Sequence, residues 1–199
     1  MSLRLVRAVA ETENLDDFHL SRLLVLLRSA DARGTAAHTV EGITKLAKLD
    51  FLLRYPTCLE RALVALDKDP ATAQVEQRER TSIESKMIRF RYGPWDARYR
   101  RWLGLLVARD LVTLNLEGHT IHVGLTEQGR KIADQFRQEP LHRQLARRSD
   151  ILIAAVGKMS ATALKKFVYK IAPEIVDLKW GEEIGAPLKV ATGSPDTAV

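Results

Sequence analysis

Between Tyr99 and Leu125 the hydrophobic period switches from that of a helix to that of a strand, leaving room only for tight turns between elements. Tyr99, Trp102, Leu103 and Leu106 stand at i, i+3, i+4 and i+7, a spacing that puts all four on one stripe of a helix. Asp96 precedes the stripe as a cap, and Asp110 marks its end. The β-prone run Leu111 to Leu116 then meets Glu117-Gly118, a turn with the permissive residue in place, and His119 to Leu125 alternates as a return strand. Thr126 opens a further helix with Ile132, Ala133 and Phe136 on its inner side. Upstream, Thr81-Ser82-Ile83-Glu84 has the pattern of a capping box and predicts a helix carrying Met87, Ile88 and Arg91. Gly93-Pro94-Trp95 then serves as the corner between two helices.

Helix, corner, helix, strand, turn, strand, helix is the order of a winged helix. The expected fold is mainly α with a small β-hairpin: winged-helix units plus C-terminal helices. Residues 81–137 form the clear unit. Residues 1–80 form an N-terminal helical region in which a second winged helix or a plain helical lobe remains open. There, Asp16-Asp17 precede a helix through about Ala30, with Leu20, Leu23, Leu24 and Leu27 on one side. Asp31 to Thr39 reads as a loop. Ile43, Leu46, Leu49, Leu52 and Leu53 keep helical spacing until Pro56, which disfavours helical geometry in Tyr55. Thr57-Cys58-Leu59-Glu60 is a capping box for the next helix, and Val75 to Arg80 is the only weak candidate for a wing strand. Residues 138–184 read as C-terminal helices, roughly Pro140 to Lys158 and Ser160 to Lys170. Ile175, Val176, Leu178 and Trp180 form a short apolar patch beyond them, and residues 185–199 have the composition of a frayed tail.

Composition narrows the function classes. The 199 residues are 46% hydrophobic, enough for a sizeable core. A single cysteine, Cys58, excludes an internal disulfide and favours a reducing, cytoplasmic setting. The opening MSLRLVRAVAETE is too short in apolar residues and too soon charged for a signal peptide, and no run of 18 apolar residues spans a membrane.

The formal charge is +6 at pH 7, and its placement says more than its size. Lys86, Arg89, Arg91, Arg98, Arg100, Arg101 and Arg109 crowd one stretch against Asp96 alone. Arg137, Arg143, Arg147 and Arg148 form a second group against Glu139. Like charges this dense repel unless solvent or a polyanion screens them. Arg89, Arg91, Arg98, Arg100 and Arg101 are therefore the candidate contacts to the phosphates of double-stranded DNA, where guanidinium geometry suits bidentate bonding. The competing reading pairs them with carboxylates of neighbouring helices or of a partner subunit, or leaves them simply solvated. Trp95 and Tyr99 are the candidate protein-partner contacts, Trp95 being either a packed corner residue or an exposed anchor.

Motifs for catalysis are missing. Gly42 and Gly104 are isolated, no phosphate loop or paired-carboxylate arrangement occurs, and no cofactor is implied. His119 and His122 are three apart on a predicted strand and so point to opposite faces, which disfavours a shared metal. Cys58 and His38 lack the spacing of a nucleophile pair. The chain is read as a non-enzyme.

Three segments, KLAKLDFLLRYP, KMIRFRYGPWDARYRRWLGLLVARDLV and LTEQGRKIAD, together resemble the middle component of bacterial ABC-three-component systems, defence operons of the Lamassu type. The resemblance covers roughly Glu41 to Asp134. It implies a non-catalytic, winged-helix accessory subunit, similar in role to the kite subunits of SMC complexes. Such a subunit joins an SMC-like ABC ATPase to an effector, often a nuclease, in antiviral or anti-plasmid defence. A free-standing homodimeric winged-helix transcriptional regulator is the alternative. The helix from Asp96 to Arg109 has arginines but no Asn or Gln, which favours backbone contact or protein docking over base reading.

Overall fold

The computed structural model describes residues 16–33, 38–80 and 86–185. The readings placed on the first thirteen residues, on Thr81 to Glu84 and on the chain beyond Gly185 lie outside the described residues.

The first helix, α1 (Asp16–Ala32), was expected to bury one side. Instead every residue from His19 to Leu27 is buried, as befits a helix surrounded by other elements. Strand β1 (Thr39–Glu41) follows, then α2 (Ile43–Arg54) and α3 (Pro56–Val64). Pro56 occupies the first turn of α3, where a missing N–H costs nothing. The helix therefore starts one residue before the Thr57 capping box, and no side chain caps it. The chain continues through two short 3-10 turns, Pro70–Ala73 and Gln77–Arg80, and a hairpin of β2 (Ile88–Phe90) and β3 (Gly93–Trp95). Helix α4 (Tyr99–Ala108) leads into β4 (Val112–Glu117), β5 (Thr120–Leu125) and α5 (Glu127–Gln138). The C-terminal helices are α6 (Arg143–Val156), α7 (Ala161–Ile171) and a single turn, α8 (Glu174–Asp177).

The three-stranded antiparallel sheet has the order β1-β5-β4. Val40 lies opposite Val123, and Leu114 lies opposite Val123 from the other side. The Gly42 N–H extends the β1 ladder by donating to the Ile121 carbonyl at 2.8 Å. Helix α1, strand β1, helix α2, helix α4 and the β4–β5 wing thus build one winged unit. Residues 55–98 are inserted between its second and third helices. The N-terminal helices complete the winged helix begun downstream, and Gln77–Arg80 is a 3-10 turn where a wing strand was sought. One buried cluster runs from Leu20 to Ile184, so no boundary near residue 80 divides the packing.

The segment after Lys86 corrects the sequence reading. Ile88–Phe90 is a strand, because partners on both edges outweigh its helical spacing. Arg89 pairs across the hairpin with Pro94. On the other edge its N–H donates to the Glu182 carbonyl at 2.8 Å, and Ile184 N–H donates to the Met87 carbonyl at 2.8 Å. Tyr55 locks the arrangement: its hydroxyl accepts from the Met87 N–H at 2.9 Å and donates to the Ile184 carbonyl at 2.8 Å. Gly93, at φ +117°, supplies the backbone freedom the tight corner needs.

Other expectations held more closely. The stripe Tyr99, Trp102, Leu103 and Leu106 is buried on α4. The wing turn sits at Gly118-His119, one residue later than predicted, with Glu117 opposite Thr120. Thr126 caps α5 by accepting from the Gly129 N–H at 2.8 Å, and Ser160 caps α7 in the same way.

Candidate functional site

The exposed side of α4 and its wing is set by a buried ionic lattice beneath it. Asp50, on α2, accepts from Arg22 Nε at 2.6 Å, from Arg54 Nε at 2.9 Å and from the Tyr99 hydroxyl at 2.6 Å. Burial alone would raise the Asp50 pKa, but Arg22 and Arg54 outweigh it and hold the carboxyl well below the usual range. Arg54 reaches onward to Asp96 Oδ2 at 2.8 Å. Asp96 also receives the Arg98 backbone N–H at 3.0 Å and the Arg98 guanidinium at 2.9 Å. Burial opposes ionisation here too, yet the hydrogen bonds from Arg98 and Arg54 bring Asp96 down to about 2. Asp96 is not the cap expected from the sequence, since the N-cap position of α4 is Arg98 and no side chain caps it; it instead clamps the entry of α4 to α2 through Arg98 and Arg54.

The five arginines singled out from the sequence part ways. Arg89 is half-buried, and its guanidinium donates to the Leu178 carbonyl, so it is turned into the fold. Arg98 is bound to Asp96 and lies over the Trp102 ring at 4.8 Å. Arg101 stays solvent-exposed but meets Asp16 at 2.5 Å. Arg91 stands at the hairpin turn over Tyr92, 5.4 Å from its ring centre. Arg100 points off the core stripe. Among the described residues no carboxylate pairs with Arg91 or Arg100. The second basic group divides likewise: Arg137 pairs with Asp150 at 2.7 Å and buried Arg148 with Glu79 at 2.6 Å, while Arg143 and Arg147 are exposed.

Of the two proposed partner contacts, Tyr99 is fully buried, which corrects its assignment. Its stripe position and its bond to Asp50 make it a core residue. Trp95 is half-buried, stacked on Phe90 at 6.3 Å and tilted against Tyr99 at 5.3 Å. It lines a cleft of about 200 Å³ together with Thr44, Phe90, Tyr92 and Arg100. Sequence reasoning missed Phe90 and Tyr92 because a helix was expected there. A hairpin turn in the motif Phe-Arg-Tyr-Gly-Pro-Trp was the available signal.

The wing has its own character. Strand β4 is the sheet edge, and after Val112 all its residues are exposed. Leu114 is 40% and Leu116 71% accessible, and Val107 on α4 is exposed as well. His119 lies in the turn, and His122 sits 3.5 Å from Glu117 across the hairpin. Among the described residues, no cluster of metal-binding side chains occurs and no helix is long and apolar enough to cross a membrane. Cys58 is buried, and burial pushes its thiol up to about 12, which removes the thiolate a nucleophile needs.

No protein-family model, no curated protein and no solved structure matches the chain.

Proposed function

We propose that this protein is a non-catalytic winged-helix adaptor whose wing docks onto a protein partner, with secondary contact to the DNA backbone. The observation that carries this reading is the wing itself. Leu114 and Leu116 lie exposed on an edge strand that pairs with β5 on one side and has no partner strand on the other among the described residues, where an apolar partner gains buried area. On the adjacent helix, Arg98 and Arg101 already have carboxylate partners, so the helix has fewer cations to spend on phosphate than its sequence suggests.

The resemblance to middle components of ABC-three-component systems supplies the partner class: an SMC-like ABC ATPase, bridged to an effector such as a nuclease in antiviral defence. Of the five candidate arginines, Arg91 and Arg100 are the ones without a carboxylate or carbonyl partner among the described residues, and they are the cations proposed to meet a passing duplex. Without Asn or Gln on the exposed side of α4, such contact fixes position rather than sequence.

Co-expression with the adjoining genes, followed by size exclusion, tests the reading. The expected result is co-migration with the ATPase, lost when Leu114→Glu and Leu116→Glu are combined. Migration as a lone dimer that shifts one operator sequence at physiological salt would instead establish a transcriptional regulator. For the DNA component, Arg100→Glu should flatten the salt dependence of duplex binding by about one charge or more, and Arg98→Glu less.

A further inference from the structure

The cleft under the β2–β3 hairpin combines three features that a protein-docking wing does not need. First, it is lined by flat rings. Phe90 and Tyr92 remain 45% and 49% accessible, and Trp95 completes the wall. At about 200 Å³ it is smaller than the ~300–1,000 Å³ of drug-sized sites and suits one heteroaromatic ring system. Second, its surroundings are cationic. Arg100 lines it, Arg91 flanks it, and Lys165 of α7 lies 5.6 Å from the Tyr92 ring centre and 3.4 Å from the Arg91 carbonyl. None of its lining residues is a carboxylate.

Third, a buried ammonium stands behind it without a counter-charge. Lys48 is 2% exposed. Its stem lies under the hairpin, 3.5 Å from where a Cβ on Gly93 would stand. Its Nζ donates to the carbonyl of Thr44 at 2.7 Å, a residue of the cleft wall. Burial and the neighbouring Lys165 push it down to about 8. A buried cation is normally paired, and here among the described residues the nearby charge is another cation.

We propose that this cleft takes one base of a single-stranded nucleic acid, stacked against Phe90, Tyr92 and Trp95, with the flanking phosphates on Arg91, Arg100 and Lys165. Rings supply a face that any base can stack on, and cations track the backbone on either side, the combination used for sequence-tolerant single-strand binding. The inference deepens the DNA contact of the proposed function but does not depend on the ATPase partner.

Fluorescence anisotropy of a labelled oligothymidylate with the full chain tests it. Binding should weaken steeply with salt and lose on the order of tenfold in affinity in the Phe90→Ala, Tyr92→Ala double variant. Both rings are half-exposed, so circular dichroism should show that variant still folded. Unchanged binding in the folded double variant would overturn the proposal. So would a duplex of the same length binding as tightly as the single strand, or thymidine monophosphate saturating the cleft at the oligomer's concentrations. Failure of ATPase co-migration with oligomer binding intact would sink only the adaptor reading.

Discussion

The Tyr99 hydroxyl donates to Asp50 Oδ2 at 2.6 Å, joining the first turn of α4 to the middle of α2 across 49 residues of sequence. The same carboxylate holds Arg22 of α1 and Arg54 of α2. Three helices of the winged unit therefore converge on one buried negative charge. The pose of α4, and with it every exposed side chain of the candidate surface, depends on that charge being matched.

Asp50→Asn is expected to destabilise the fold by about 3–5 kcal/mol, since it leaves buried Arg22 without its anion and Arg54 with Asp96 alone. That is a large part of the ~5–15 kcal/mol available to a domain. Tyr99→Phe removes one donor among several and should cost about 1–2 kcal/mol. Urea melts of both variants measure the difference. Equal, small losses would mean that the lattice is ornamental.

Acid should unlock the same lattice. Asp96 titrates near 2 in the fold, against about 3.9 for an unfolded aspartate. A depressed carboxylate stabilises the fold fully above its unfolded pKa and ceases to as pH falls through the folded one. Stability should hold above pH ~4 and fall steeply between pH ~4 and ~2, with Asp50 extending the loss lower. Melting curves across this range, compared with those of Asp96→Asn, check it; the variant should show a shallower slope. A slope unchanged by the substitution would assign acid sensitivity to other carboxylates.

How much of this was legible follows from which forces are local. The stripe on α4, the wing and the Thr126 and Ser160 caps are set by periodicity and by neighbours in sequence, so they could be read directly. Strand β1 could not: Thr39–Glu41 is three residues long and exists because β5 offers an edge to it. The β2–β3 hairpin likewise depends on Tyr55 and on residues 182–184, partners more than thirty positions away. Charge had the same limit. The sequence showed a crowd of arginines, but only the folded chain brings Asp16 to Arg101 and Asp50 to Arg22.

Gly129 shows how a short motif encodes a close approach. A Cβ there would lie 1.9 Å from the carbonyl oxygen of Leu111, where the backbone entering β4 passes beneath α5. No rotamer change relieves a clash with backbone. Gly129→Ala should therefore destabilise the protein by about 1–3 kcal/mol or more, although alanine favours helices by about 1 kcal/mol over glycine. Denaturant melts decide the sign. A stabilised variant would show that α5 shifts freely over the wing.

Lys48 makes the opposite prediction, because its charge costs the fold stability. Its pKa falls from 10.5 to about 8 on folding, so between those values the unfolded chain binds more protons, and stability gains with rising pH. Below pH 8 the penalty is present in full. Lys48→Met keeps the stem that lies under Gly93 and removes the ammonium, so at neutral pH it should stabilise the free protein by about 1–3 kcal/mol. The difference between variant and wild type should shrink as pH rises from 8 to 10.5. Paired thermal melts at neutral and alkaline pH measure that difference, in which contributions common to both proteins cancel. The cleft reading adds a further demand: a saturating oligothymidylate should narrow the gap at neutral pH, since an anion at the hairpin repays the charge only in the wild type. A gap that is constant with pH and with ligand would make Lys48 a well-solvated bystander.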